Sequence, residues 1–331
     1  MENDTPQLLL PRDYVAKATE LAKKAERRIY VTGFSIVRCR ATDSLIDAML
    51  DATSRQVEVH VAAGIFTFVT DMDDSLVSRV FGKTMWKNNK LRSEFVRAGA
   101  DFHWLGANNM FYLVGCTHSK WLVIDDDVFC FGGVNLNKSG IEDRTDYIFH
   151  LKNEAVADRL VKEQIAIEKQ SRDKKYQHNT TMDTPYGEIL LDGGHIGRSV
   201  IFDRAVKLAE NAEKIILVSQ YCPGKPLADV LIEKNSSIYF NPKGTASDTA
   251  NNIMIGTKNQ TKLVPNLYKR HRYLHAKFMI GIMPDGSRRA ITGSHNFSSA
   301  GIIAGTHEVA LETTRSDIID QLVDFYRKYV A

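Results

Sequence analysis

With 331 residues, the chain is long enough for one large domain or two ordinary ones around a substantial core. Its charged fraction of 25% and apolar fraction of 44% are those of a globular protein, and a net charge of +3 is too small to demand a polyanionic partner. The four cysteines, Cys39, Cys116, Cys130 and Cys222, form no Cys-x-x-Cys pair and indicate neither a zinc knuckle nor a disulfide framework. Residues 1–12 lack a basic start followed by an apolar run, and no stretch approaches the roughly 18 apolar residues of a membrane span. The expectation is a cytoplasmic protein with no signal peptide or transmembrane segment, able to sit peripherally on a membrane.

In chain order, apolar residues at Val15, Ala18, Leu21 and Ala22 predict a helix over 14–25, followed by a strand over 28–32. A helix over 44–53 and a strand over 57–62 come next. The segment Phe66 to Lys90 carries Phe68, Met72, Phe81, Met85 and Trp86 and reads either as a helix packed on the core or as an apolar lip beside a site. Apolar runs over 120–124 and 128–131 flank Asp125-Asp126-Asp127 and predict a β-hairpin, with the acidic run as its turn rather than a metal site. The polar stretch 170–184 is the best linker candidate.

The order then repeats: a helix over 200–212, strand 214–218, helix 226–233 and strand 237–240. A second hairpin follows, 277–283 and 289–292 around Pro284-Asp285-Gly286-Ser287. Alternating helices and strands predict an α/β fold of two similar lobes, residues 1–168 and 191–331, joined by a linker over 169–190.

Each hairpin carries the same chemistry in the same order. The first reads His118-Ser119-Lys120, then Asp125 after four residues, then Gly132-Gly133-Val134-Asn135 after six more, with Asp146 downstream. The second reads His275-Ala276-Lys277, then Gly293-Ser294-His295-Asn296, then Glu308. On a strand, residues two apart share a face, so each His would stand beside its Lys, and each return strand would bring its Asn alongside. Such a set suits phosphodiester chemistry. One imidazole attacks phosphorus, and a second protonates the leaving oxygen and later deprotonates the acceptor. Lysines and asparagine amides hold the non-bridging oxygens, and a carboxylate on the far nitrogen fixes each ring. Small residues in the turns would let backbone approach the phosphate. No metal or other cofactor is needed for this scheme.

At these residues the chain resembles the phospholipase D superfamily, over roughly 11–150 and 195–330. The resemblance implies two α-β-α lobes about a pseudo-twofold axis, mixed sheets flanked by helices, and one active site at the lobe interface. It implies a phosphohistidine intermediate, with His118 as nucleophile and His275 as general acid/base. Lys120, Lys277, Asn135, Asn296 and Ser294 would bind phosphate, and Asp146 and Glu308 would orient the histidines. Asp125, Gly132, Gly133 and Gly293 would be structural. The second copy departs from the family pattern at Ile282, where Asp is expected, and the expected consequence is altered packing with activity intact.

Outside the motifs, His103, His150 and His195 read as structural or exposed, and His295 and His307 as framework. The basic stretch Lys269-Arg270-His271-Arg272 reads equally as a solvated loop or as a recruiter of phosphate-bearing substrate. Three functions compete. A phosphatidyltransferase or phospholipase would act on phospholipid at a membrane surface; Gly-Gly-Val-Asn followed by Arg144-Thr145-Asp146 resembles the first motif of bacterial cardiolipin synthases, and Met110-Phe111-Tyr112-Leu113 could admit acyl chains. A nuclease would take nucleic acid with the same catalytic set. A decayed binding module would not keep both His-Lys-Asn sets. One chain supplies both motifs, so a monomer suffices and no protein partner is required.

Overall fold

The computed structural model describes residues 5–68, 83–106, 116–173, 179–242, 244–245 and 268–331. The strands in chain order are β1 (Gln7–Leu9), β2 (Arg28–Gly33), β3 (Glu58–Gly64), β4 (Asp101–Leu105), β5 (Trp121–Ile124), β6 (Asp127–Cys130), β7 (Arg144–Thr145) and β8 (Ile148–Lys152). They continue as β9 (Thr180–Thr184), β10 (Gly187–Gly193), β11 (Lys214–Val218), β12 (Asn235–Tyr239), β13 (Tyr273–Leu274), β14 (Phe278–Ile282), β15 (Arg288–Gly293) and β16 (His307–Thr313).

Among the described residues the first sheet runs β1-β8-β6-β5-β2-β3-β4 and the second β12-β11-β14-β15-β16-β10-β9. Read from opposite ends, the two share one order: β1, β8, β6, β5, β2, β3 correspond to β10, β16, β15, β14, β11, β12. The matching crossover pairs are parallel (β2 with β3, β11 with β12), β3 also pairs in parallel with β4 in the first sheet, and the hairpin pairs are antiparallel. The internal duplication predicted from the motif order is thus a duplication of fold.

Period-2 patterning sets which side of each strand faces which core. Trp121 and Val123 of β5 join Phe278 and Ile280 of β14 in one cluster shared by both sheets, which also takes Phe325 from the helix Ser316–Tyr329. The alternate residues, Leu122 and Ile124, face the helices Pro11–Lys24 and Asp43–Ser54. Met279 and Ile291 face Val200–Asn211 and Leu227–Glu233. Both sheet faces are covered, which is why β5 and β14 read as near-continuous apolar runs.

The polar stretch read as a linker over 169–190 is largely structured. The helix Glu154–Asp173 runs into it, β9 lies wholly within it, and β10 begins in it. β10 pairs with β16 and β9 with β10, so these residues build the edge of the second sheet. β9 is a half-exposed edge strand with alternating side chains, TTMDT, whose polarity masks its strand character. The segments 69–82 and 107–115, including the Met110–Leu113 run, lie outside the described residues, as do the side chains of Phe66, Phe68, Met85 and Trp86.

The motif glycines sit where any side chain would collide with the neighbouring segment. A Cβ on Gly293 would lie 2.2 Å from the Val309 carbonyl oxygen, and one on Gly133 would lie 2.7 Å from Asp146 Oδ2. In both hairpins the strand carrying the downstream carboxylate passes directly across the turn. Gly293→Ala is therefore expected to destabilise the protein by about 1–3 kcal/mol or more, read as a lowered urea midpoint at unchanged slope.

Candidate active site

His118 and Lys120 precede β5, and His275 and Lys277 precede β14, so neither pair lies within a sheet strand as the sequence suggested. The reason is that each approach segment pairs with the other lobe. Thr117 bridges His307, the His118 amide donates to the His307 carbonyl at 2.8 Å, and the His307 amide donates to the Cys116 carbonyl at 3.0 Å. In the second lobe β13 pairs in parallel with β7, and the His275 amide donates to the Thr145 carbonyl at 2.9 Å.

That exchange places each histidine beside the carboxylate that follows its pairing partner. His118 Nδ1 lies 3.0 Å from both oxygens of Glu308, and His275 Nδ1 lies 2.6 Å from Asp146 Oδ2. The carboxylates are crossed: each lobe orients the histidine of the other. All four side chains are nearly or wholly inaccessible, His118 the most open at 13% and His275 at 4%.

Each ammonium folds back onto its own motif. Lys120 Nζ donates to the His118 carbonyl at 2.6 Å, and Lys277 Nζ donates to that of His275. Both lysines are buried, and burial brings Lys120 down to about 8 and Lys277 well below the usual lysine range, against the pull of Glu308 and Asp146. Burial lowers His118 to about 4, although Glu308 pulls the other way. Burial lowers His275 as well, reinforced by the positive charges of Lys277, Arg144 and Lys120 and by His118 across the site. Burial would raise Glu308, but His118 and its hydrogen bond bring it to about 2. Asp146 goes the other way, raised by burial with Lys277 only partly offsetting it. Charges from both lobes therefore act on one another inside a single dry space, where such interactions are strong.

Because folded His118 resists protonation until about pH 4, the unfolded chain binds more protons between about 4 and 6.5. Stability is expected to rise with pH across that window and to be lost on acidification through it. His118→Asn should flatten the slope in thermal melts taken from pH 4 to 7.

The buried Asn135 and the partly buried Asn296 each carry a side-chain carbonyl oxygen with no hydrogen-bond partner in the protein. Each orphaned oxygen calls for a donor, and the Nδ2 end of the same amide is the group able to donate to a phosphoryl oxygen. Ser294, expected to support phosphate binding, donates its hydroxyl to Glu308 and accepts from the Val309 amide at 3.0 Å. Its role in this geometry is to hold the carboxylate that holds His118.

Asp125 sits away from this cluster. Its carboxylate accepts from the amides of Glu26, Arg27 and Arg28 at 2.8–3.1 Å, tying the hairpin turn to the start of β2. At the matching place in the second lobe the Ile282 backbone carbonyl accepts from the Glu213 amide at 2.8 Å, so backbone does there part of what the missing carboxylate would do. Asp126 pairs with Arg27 at 2.6 Å and Asp127 with His150 at 2.7 Å, which leaves the acidic run fully engaged as a turn. His295 accepts from the Phe297 amide at 2.9 Å, a framework role. Lys269 to Arg272 are all exposed.

Two residues that the motifs did not single out belong to the site. Phe34 sets its ring edge-on to His118 at 5.2 Å and lies 5.7 Å from Lys120 Nζ. It follows β2 directly, at the carboxyl end of a parallel strand, where open α/β sheets place functional side chains. The Arg144 charge bears on Lys120, His275 and Lys277, making a third cation in the field.

The family profile described as "Cardiolipin synthase, PLD-like domain" matches residues 19–166, which hold the whole first motif. Over those residues the chain carries a phospholipase D-like domain. The second lobe, outside that match, repeats the strand order and the His-x-Lys arrangement. The crystal structure of phosphatidylserine synthase from Haemophilus influenzae Rd KW20 superposes with a TM-score of 0.74 at 14% identity, over 99% of this chain and 87% of that one. Polyphosphate kinase from Porphyromonas gingivalis gives 0.63 at 12% identity, over 96% of this chain and 49% of that one, so this chain spans about half of it. At these identities the likeness is one of fold. No curated protein matches the chain in sequence. No described helix is long and apolar enough to cross a membrane.

Proposed function

We propose that this protein is a phosphodiester-cleaving enzyme that works through a phosphohistidine and acts on phospholipid, by phosphatidyl transfer or hydrolysis. The observation that carries the reaction type is the crossed pair of carboxylate–histidine contacts around buried lysines. With Nδ1–H given to Glu308, a neutral His118 keeps its Nε2 lone pair for phosphorus. Attack forms the N–P bond as the bond to the leaving oxygen breaks, and His275 Nε2–H supplies the proton to that oxygen. Water or an alcohol then gives its proton back to His275 as it displaces His118, which restores both rings.

The free site disfavours a protonated His275 first because the ring is buried and then because Lys277, Arg144 and Lys120 crowd it with positive charge. A bound phosphodiester anion offsets that field and raises the ring's proton affinity. The acid is thereby armed by its own substrate. The cations Lys120, Lys277 and Arg144, with the Asn135 and Asn296 amides, supply the charge and hydrogen bonds that the phosphoryl oxygens require.

For the substrate, the description of the matching family profile and the full-length likeness to phosphatidylserine synthase favour lipid over nucleic acid. The nuclease reading uses the same groups and is the alternative outcome of the test. Purified chain is given phosphatidylglycerol or phosphatidylcholine vesicles with an alcohol acceptor and, separately, single- and double-stranded DNA, all with chelator. Headgroup exchange or release without DNA cleavage supports the lipid reading. DNA cleavage alone replaces it, and dependence on added magnesium would point to a different chemistry.

A further inference from the structure

We propose that His60, His103 and Glu168 form a binding site for one zinc-class divalent ion that staples the helix Glu154–Asp173 to the first sheet. His60 lies on β3 and His103 on β4, with His60 opposite Asp101 and Ala62 opposite His103, so the two imidazoles occupy one sheet face on a diagonal. The helix brings Glu168 to them, and Gln164 one turn earlier anchors it there by accepting from Thr32 at 2.8 Å and Trp121 at 3.3 Å.

One donor atom from each of the three residues lies within 4.8 Å of the other two, and His103 Nε2 is 3.5 Å from Glu168 Oε2. Ligands bound tetrahedrally at about 2.1 Å stand about 3.4 Å apart, so small side-chain rotations suffice to close the site. Two imidazoles and one carboxylate are a donor set for zinc rather than for calcium or magnesium, which take oxygen ligands.

His60 is built for the task. Its ring stacks on Tyr30 at 4.3 Å and 6°, and Tyr30 Oη donates to Glu58 Oε1 at 2.6 Å. His60 Nε2 lies 3.1 Å from that same Glu58 oxygen and 3.3 Å from Asp101 Oδ2, while Nδ1 is buried with no partner in the protein. A ring whose Nε2–H is given to a carboxylate keeps an unshared pair on the orphaned nitrogen, and carboxylates beside a histidine are the usual outer support of a metal ligand. None of these residues belongs to the proposed catalytic set, so the ion is a staple and not a reagent.

The full chain, freed of metal by chelator and dialysed, is titrated with zinc chloride by calorimetry and with cobalt(II) by visible absorption. Wild type is expected to bind one ion, with a tetrahedral cobalt spectrum and a raised melting temperature. His103→Ala and Glu168→Gln should each weaken binding at least about tenfold and abolish the zinc-dependent rise. His103 is 40% exposed and Glu168→Gln is nearly isosteric, so either variant should melt like wild type in chelator. Absence of binding overturns the proposal. So does affinity unchanged in both variants, or binding lost only on His118→Asn, which would put the ion in the active site.

Discussion

His118→Asn is expected to lower turnover by at least about a thousandfold while the protein keeps its wild-type melting curve at neutral pH. Asparagine can still donate to Glu308 but offers no nucleophilic nitrogen. His275→Asn should lose turnover on natural phosphodiesters to a similar degree, for a different reason. The leaving alkoxide then departs without a proton, and nothing activates the acceptor. A substrate with a good leaving group separates the two roles. With bis-p-nitrophenyl phosphate, His275→Asn should release about one equivalent of nitrophenolate in a burst and then stall, because the N–P bond forms but is not resolved. His118→Asn should give no burst. The reverse pattern would make His275 the nucleophile, and wild-type turnover in either variant would reject the two-histidine mechanism.

The crossed pairing makes the second prediction. Glu308→Gln is expected to lower kcat by about two to four orders of magnitude, with the larger loss if the amide imposes the wrong tautomer on His118. The decisive measurement is a double-mutant cycle. Groups that act as a unit are strongly non-additive. Glu308→Gln should add little to the loss already caused by His118→Asn, and Asp146→Asn little to that of His275→Asn. If the non-additive pairs were instead Asp146 with His118 and Glu308 with His275, each lobe would be orienting its own histidine, and the geometry described here would not be the working one. Ser294→Ala offers a gentler check along the same line. It frees Glu308 without touching a ring, so a fall in kcat with little change in KM is the expected result.

Much of this protein is legible without coordinates. The helices and strands before each hairpin fall within a few residues of their predicted places because amphipathic period and turn residues are local signals. The duplication is legible too, since His-x-Lys, a glycine turn, Asn and a carboxylate recur in one order. Polar strands are less so: β9 looks like linker because an edge strand needs no apolar alternation. The burial of Lys120 and Lys277 is hidden as well, for a lysine reads as surface until its neighbours are known.

What the linear chain determined is the inventory: which groups exist, in which order, twice. Only tertiary structure decided the partnerships. His118 is 190 residues from Glu308 and 129 residues separate His275 from Asp146, so no local rule could pair them. The pairing follows from backbone hydrogen bonds between lobes, through Thr117 with His307 and β13 with β7, which carry each carboxylate to the opposite ring. The same packing put Phe34 and Arg144 at the site and set the Ser294 hydroxyl on Glu308, because proximity across a lobe interface is a property of the assembled sheets and not of spacing along the chain.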